Sequence, residues 1–218
     1  MYVLNGTKEL KPGKTWTDDN GVQHPGNWAS VWSDDVKASY GIKKVTIQAK
    51  PDSMFYQVNG PALDGSWTST AKNIDDVTVT NFDGEKITTL GLKSQWIART
   101  KEIANSLLAS TDWQVIAKAE RDRDIDSDVA TYRAAVITAC TAIEKAITDI
   151  TDTAIPSGYD AAKSKGKDDR TDAEKKIVSD YETEVATKFA AFKALFDVPV
   201  DSDGKPTGNA PINDWPEE

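Results

Sequence analysis

The chain has 218 residues, of which 39% are hydrophobic and 28% are charged, and its formal net charge at pH 7 is −9. This length allows one large domain or two small ones. Because phosphate binding needs clustered lysines and arginines, the negative charge argues against nucleic acid as the main partner. The single cysteine, Cys140, excludes a disulfide within the chain. Together with the single histidine, His24, it leaves few residues for a metal centre or a catalytic group.

Neither a membrane segment nor a leader is predicted. No apolar run approaches the roughly 18 residues that a helix needs to span a bilayer. The first residues, Met1 to Gly6, lack the charged and apolar regions of a signal peptide. We therefore expect a protein that is made in a cytoplasm and has no membrane partner.

Residues 1–90 combine short apolar runs with turn residues, as a β-rich module does. A strand over 2–4 ends at Asn5-Gly6, and the turn from Asp18 to Gly21 separates the two strands of a hairpin. Further strands are predicted over 45–47, 54–58 and 77–80, with another hairpin turn at Asp83-Gly84.

The same module contains a short helix and three clustered tryptophans. The helix is predicted from Asp34 to Tyr40, with Ser33 as its N-cap and Gly41 directly after its end. Aromatic side chains bury large areas, which helps a unit of this size to reach stability. The local core is therefore predicted to consist of Trp16, Trp28 and Trp32.

Residues 91–197 show helical periodicity. A first helix is followed by a short one from Asp112 to about Glu120. Two longer helices carry apolar stripes over 129–150 and 178–196, the second beginning with a capping box from Thr171 to Glu174. The two stripes have two interpretations: an antiparallel hairpin within one chain, or a surface for self-association into an oligomer.

The predicted fold class is α+β. It comprises an N-terminal β-rich module over 1–90, a helical domain with a long α-hairpin over 91–197, and an extended C-terminal tail over 198–218. The tail is rich in proline. Its Ile212 and Trp215 could pin it to a surface, either of this chain or of a partner.

The most informative local pattern runs from Leu107 to Trp113. Leu107 and Leu108 close one helix, Thr111 stands at the N-cap of the next, and Gln114 completes a capping box. Asp112 lies in the first turn, where a negative charge suits the helix dipole. Trp113 is expected to face inward.

One short helix later, Tyr132 and Arg133 follow on the next helix. We expect Arg133 to tie this corner to that helix through a charge-assisted hydrogen bond. The structural site predicted from the sequence thus contains the following residues: Leu107, Leu108, Thr111, Asp112, Trp113, Tyr132 and Arg133.

A Leu-Leu-x-x-Thr-Asp-Trp corner followed by Tyr-Arg resembles the helical region of tailed-bacteriophage tail-fibre assembly and tail accessory proteins. The resemblance covers residues 90–150 and, more loosely, the first 60, where the stretch from Gly21 to Ile42 is similar to a small module of several phage tail proteins. The resemblance implies a virion or virion-assembly protein and does not imply a catalytic activity. The expected partners are phage tail or tail-fibre proteins, and the expected location is the virion tail after synthesis in the bacterial host.

Three functions follow from the resemblance and the composition. The first is a non-enzymatic adaptor that binds tail or tail-fibre subunits, with Trp67, Ile212 and Trp215 as contact candidates. The second is an assembly chaperone that is absent from the mature virion. The third is a carbohydrate-binding module for host recognition, which would use one of its tryptophans: Trp16, Trp28, Trp32 or Trp67. None of the three needs a cofactor or a metal.

Three further features invite a chemical interpretation. The aspartates between 122 and 128 suggest a calcium loop, but Ser127 and Arg133 stand where an EF-hand needs glycine and glutamate. A solvated, helix-capping corner is the better interpretation.

His24 has no serine, cysteine or acid near it in sequence that would indicate catalysis, so we expect a surface or structural histidine. Cys140, beside the apolar stripe of its helix, is expected to be a small buried apolar residue.

Overall fold

The computed structural model describes residues 1–217 and divides the chain into two compact units, Met1–Lys72 and Asn73–Glu218. Helices account for 44% of the chain and strands for 14%, which confirms the α+β class. In the described part of the chain, no helix is both long and apolar enough to cross a membrane.

The first unit contains small antiparallel sheets and two short helices. Its strands are β1 (Tyr2–Leu4), β2 (Lys8–Leu10), β3 (Trp16–Thr17), β4 (Gln23–His24), β5 (Ile42–Lys44), β6 (Tyr56–Asn59) and β7 (Thr68–Ala71), and its helices are α1 (Trp28–Val31) and α2 (Asp34–Ser39). The strand order is β2-β1-β5 in one sheet, with β3–β4 and β6–β7 as separate pairs. The predicted turn from Asp18 to Gly21 connects β3 and β4.

The core of this unit is built around tryptophan, as predicted. Trp28 is fully buried and Trp16 is 6% exposed, and both pack with Leu4, Leu10 and Ile42, while Trp32 lies at the edge of this cluster. The Trp28 indole donates a hydrogen bond to the Lys14 carbonyl oxygen at 3.2 Å.

Helix α2 begins at Asp34 as predicted and ends at Ser39, one residue before the predicted end. The Ser33 hydroxyl accepts a hydrogen bond from the Val36 amide at 3.3 Å, and Gly41 has the positive φ of 74° that a left-handed helix end requires.

Two predicted strands of this unit are displaced. No strand covers 45–47 in the described chain, and the nearest strand is β5 at Ile42–Lys44, which pairs with β1. After Val45, which donates its amide to the Met1 carbonyl, the chain leaves this sheet, and Gln48 donates its amide to Gly65 in the loop between β6 and β7. The strand predicted over 54–58 is β6, which begins only at Tyr56. The amides of Phe55 and Tyr56 both donate hydrogen bonds to the Asp52 carbonyl in a turn.

The second unit contains a hairpin and the longer helices. Its strands are β8 (Val77–Thr80) and β9 (Lys86–Thr89), and its helices are α3 (Leu92–Ala109), α4 (Asp112–Arg121), α5 (Ser127–Thr148), α6 (Tyr159–Ser164) and α7 (Asp172–Ala194). The sequence placed the domain boundary at residue 90, whereas the structure places it after Lys72. The physical reason is that residues 73 and 74 hydrogen bond to the start of α3, since Leu92 donates to the Asn73 carbonyl and Lys93 to that of Ile74.

Helices α3 and α5 pack against each other. Arg133, near the start of α5, bonds to Leu108 at the end of α3, and Lys93, at the start of α3, bonds to Ile150 beyond α5, so the two helices are antiparallel. Val136, Ile143 and Ile147 of α5 are buried, with at most 3% of their surface exposed.

This pairing differs from the predicted hairpin of α5 with α7. The link through α4 is short and returns the chain directly onto α3, and helices that are close in sequence pack most readily. Helix α7 makes its closest helix contacts with α6. It begins with the predicted capping box, in which Thr171 and Glu174 each accept a hydrogen bond from the other's backbone amide.

The C-terminal segment folds back onto its own unit instead of extending freely. A short 3-10 turn over Pro211–Asn213 buries Ile212, which is 3% exposed. The Ile212 amide donates to the Leu195 carbonyl, just after α7, at 3.0 Å. The surface to which Ile212 is pinned therefore belongs to this chain.

Candidate interaction surface at the elbow between α3 and α4

The elbow between α3 and α4 is held by Arg133. Its Nη1 atom donates to the Leu108 carbonyl oxygen at 3.0 Å and to Thr111 Oγ1 at 2.7 Å, and it lies 2.9 Å from Asp112 Oδ1. Only 16% of the Arg133 side chain is exposed. This is the contact that the sequence predicted, and it joins the end of α3, the start of α4 and the first turns of α5.

The predicted capping box at this elbow is wrong. Thr111 does stand at the N-cap position, but its side chain accepts no bond from the α4 backbone and donates instead to the Leu108 carbonyl at 2.9 Å. The Gln114 side chain turns away from Thr111. It accepts from the Asp126 amide and donates to the Asp126 carboxylate, both at 2.9 Å.

The inward orientation predicted for Trp113 is also wrong, since 51% of this residue is exposed. Gln114, only 7% exposed, takes the inward position because its amide group closes α4 against the start of α5. Gln114 lies in the first turn of α4 and Asp126 is twelve residues away in sequence, so no local pattern predicts this pair.

Helix α4 consequently presents an apolar face to solvent. Trp113 and Ile116 are three residues apart, which places them side by side on a helix, and Ile116 is 54% exposed. The Arg123 guanidinium lies over the indole ring, 5.4 Å from its centroid. We refer to Trp113, Ile116 and Arg123 together as the α4 surface.

The remaining residues of the predicted structural site are partly buried. Leu107, Leu108 and Tyr132 are half-buried. The Tyr132 hydroxyl is buried and has no hydrogen-bond partner within residues 1–217.

The charged corner between α4 and α5 uses its aspartates in ion pairs. Lys118 Nζ lies 2.8 Å from both Asp122 Oδ1 and Asp124 Oδ1. These contacts raise the pKa of Lys118 and lower that of Asp124. Among the residues that the structure describes, no cluster of three histidine, cysteine or acidic side chains could hold a metal ion.

A second anchor, which sequence analysis missed, lies at the opposite end of α3. Lys93 is 9% exposed and donates to the Ile150 carbonyl at 2.8 Å. It also pairs with Asp75 at 2.7 Å and with Asp152. Although burial opposes the charge of Lys93, these carboxylates raise its pKa, and Lys93 in turn lowers the pKa of Asp152. These partners are far apart in sequence, so no local pattern predicts them.

The hairpin of β8 and β9 stands beside this anchor and is exposed on both faces. At its base, the Gly91 amide donates to Asp76 Oδ1 at 2.8 Å. Phe82 lies in the turn, next to the predicted Asp83-Gly84, and its side chain is completely exposed.

The other contact candidates are less available than the α4 surface. Ile212 is buried, and the half-buried Trp215 lines a cavity of about 620 Å³ against alanines of α5, with its indole nitrogen buried and without a partner in the described chain. Half-buried Trp67 donates its indole N–H to the Gln48 carbonyl at 2.9 Å and has Lys50 over its ring.

His24 is a structural residue, but it does have the acid partner that the sequence did not indicate. It is 6% exposed, and its Nε2 lies 3.1 Å from Asp18 Oδ2. Its ring packs 4.4 Å from that of Trp16 and 4.9 Å from that of Tyr40. The Val22 amide and His24 both hydrogen bond to Asp18 and lower its pKa.

Cys140 is half-buried rather than buried. Its thiol donates to Glu144 Oε1 at 3.2 Å, and burial raises its pKa.

Comparisons with protein-family models, with curated proteins and with solved structures found no match for this chain.

Proposed function

We propose that this protein is a non-enzymatic, bacteriophage tail-associated adaptor that binds tail or tail-fibre subunits through the α4 surface. The observation that carries the proposal is that Arg133 and Gln114 both fix the first turn of α4, while Trp113 and Ile116 remain half-exposed. The residues that resemble phage tail accessory proteins are the ones that hold this elbow.

The α4 surface has the properties of a binding anchor. Tryptophan and arginine are the side chains most enriched among residues that dominate binding energy. A helix that is already ordered loses little conformational entropy when it binds. The net charge of −9 disfavours non-specific association of copies of the chain, so a specific apolar contact can be selective.

Binding through α4 is tested by replacing Trp113 with alanine. We expect Trp113→Ala to weaken binding to a tail or tail-fibre subunit from the same genome by about tenfold or more. The matched control is Ile137→Ala, since Ile137 is 54% exposed on α5 of the same unit and lies outside the α4 surface. If both variants bind as tightly as the original chain, α4 is not the contact.

Mass spectrometry of purified particles separates the adaptor from the assembly chaperone. The adaptor is expected in the particle at a fixed ratio to the tail subunits. Its absence from particles that nevertheless need it for assembly would replace the adaptor by the chaperone.

The carbohydrate-binding alternative is less well supported. A sugar stacks on an exposed aromatic face, but Trp28 is fully buried and Trp16 is 6% exposed. Trp32 stacks on Tyr40, with ring centroids 4.9 Å apart. A glycan array on which the chain binds one glycan, and loses it on Trp32→Ala or Trp67→Ala, would revive this function.

A further inference from the structure

The outer edge of β8 is unpaired. Strands β8 and β9 form a two-stranded antiparallel sheet, and no third strand joins them within residues 1–217. The Asn81 amide donates to the Glu85 carbonyl at 2.8 Å, so the next inward-bonded pairs are Val79 with Ile87 and Val77 with Thr89. The backbone groups of Thr78 and Thr80 therefore point outward, away from β9.

One face of this hairpin is apolar and exposed. The side chains of Val77, Val79 and Ile87 share that face, with 38%, 53% and 49% of their surfaces exposed. Thr78 and Thr88 lie on the opposite face, where their hydroxyl oxygens are 2.8 Å apart. An exposed edge beside an apolar face is a template for pairing with another strand.

We propose that β8 pairs antiparallel with β8 of a second copy of this chain, about a two-fold axis at Thr78. Thr78 then lies opposite itself and exchanges both backbone hydrogen bonds with its copy. Val77 of each copy lies opposite Val79 of the other on the apolar face. A four-stranded sheet results, and because both copies use the same edge, the association closes at the dimer.

The charges of the hairpin favour this register. From 76 to 80 the only charged side chain is Asp76, which lies opposite Thr80 of the other copy, so no like charges face each other. On β9 the outward-pointing backbone positions include Lys86, and a lysine on an edge opposes the addition of another strand. The addition of another strand is therefore favoured at the edge of β8 and disfavoured at the edge of β9.

The proposed dimer forms through the edge of β8 and not through the apolar stripe on α5. Val136, Ile143 and Ile147 of that stripe are already buried within one chain. This inference does not depend on the proposed phage function, because it rests on the hairpin alone.

Sedimentation equilibrium over a range of concentrations, with Thr78→Pro and Thr88→Pro, tests the proposal. Both amides point outward, so proline at either position leaves the bonds between β8 and β9 in place. Both variants also lose the same hydroxyl contact between Thr78 and Thr88. We expect a concentration-dependent dimer that Thr78→Pro weakens about tenfold or more and Thr88→Pro leaves unchanged.

Cross-linking provides a second measurement that does not depend on proline being tolerated. In a Cys140→Ser background, Thr78→Cys is expected to form a disulfide-linked dimer on oxidation, whereas Thr88→Cys is not. The Cα atoms of residues that face each other in a bonded antiparallel pair are about 5.5 Å apart, which suits a disulfide. A chain that stays monomeric at all concentrations, a dimer indifferent to Thr78→Pro, or equal cross-linking at both positions would each overturn the proposal.

Discussion

Arg133 connects three segments of the second unit through one guanidinium group. Its acceptors are the last-turn carbonyl of α3 at Leu108, the Thr111 hydroxyl and the Asp112 carboxylate. The Leu108 carbonyl lies in the last turn, beyond the regular hydrogen bonds of the helix, and it accepts from the amide and hydroxyl of Thr111 as well as from Arg133. A single residue therefore sets the direction in which α4 leaves α3.

Loss of this guanidinium should destabilise the protein. We expect Arg133→Ala to lower the free energy of unfolding by about 2 kcal/mol, because it leaves partly buried acceptors without their charged donor. Urea denaturation measures the change. Arg121→Ala is the control, since Arg121 is exposed and has no ion-pair partner in the described residues, and its effect should stay within about 0.5 kcal/mol. Equal stability of the two variants would contradict the role assigned to Arg133.

Glu174 gives the second unit a pH-dependent contribution to stability. Lys165 and the Thr171 amide stabilise its carboxylate and lower its pKa from 4.5 to about 2. Since the folded state favours the ionised form, the contribution is complete above pH 4.5 and disappears as the pH falls toward 2.

The melting temperatures of the original chain and of Glu174→Gln should therefore converge as the pH falls from 4.5 to 2. The control is Glu120→Gln, because Glu120 is exposed and makes no ion pair in the described chain. For that variant, the difference in melting temperature should not vary with pH in the same way. A constant difference for Glu174→Gln would show that the capping box does not need the charge.

At the scale of the elements, each end of the pair of α3 and α5 is held by a cation whose side chain is at most 16% exposed. Arg133 closes one end and Lys93 the other. Lys93 also connects the base of the β8–β9 hairpin to the helices, because its partner Asp75 lies two residues before β8. An isolated two-stranded hairpin is only marginally stable in water, so the contact with Lys93 is expected to contribute much of the stability of this hairpin.

Replacing Lys93 with methionine should loosen the base of the hairpin. We expect Lys93→Met to lower the free energy of unfolding by about 2 kcal/mol, since it leaves the half-buried Asp75 without its cation. Hydrogen exchange at residues 73–76 and 91–93 should become faster. Lys101→Met is matched to it, because Lys101 pairs with Glu144 across the same two helices but is 58% exposed, and its effect should remain below about 1 kcal/mol. Unchanged exchange in Lys93→Met would show that the hairpin is held by other contacts.

At the scale of the whole molecule, the two units reach stability by different means. The second unit buries aliphatic and phenylalanine side chains between helices, whereas the first depends on a few aromatic residues in small sheets. Trp28, fully buried and edge to face with Tyr2 at 5.1 Å, is the largest of these.

Removing that indole should unfold the first unit preferentially. We expect Trp28→Ala to cost about 3–5 kcal/mol of stability and to abolish hydrogen-exchange protection in β1, β2 and β5. Val31→Ala, at a 67% exposed position in the same helix, should leave that protection unchanged. Protection retained in Trp28→Ala would show that this unit does not depend on its tryptophan core.

Local patterns predicted a large part of this structure. The α2 caps, the capping box of α7, the turns at Asn20-Gly21 and Asp83-Gly84, and the tryptophan core each depend on a few neighbouring residues or on the burial of large side chains. The contact of Arg133 with Asp112 was also within reach, because an unpaired arginine on one helix and a carboxylate at the nearby corner attract each other.

The partners of distant groups could not be read from such patterns. Gln114 binds Asp126, and Trp113 is left exposed. Lys93 pairs with both Asp75 and Asp152, and the second unit begins before β8, at Asn73. The main packing partner of α5 is α3. Each outcome is a competition between interactions of similar strength, and the packing of the complete chain decides it. The local sequence determines which residues can cap a helix, form a turn or be buried. The tertiary contacts determine which surface remains exposed for a partner.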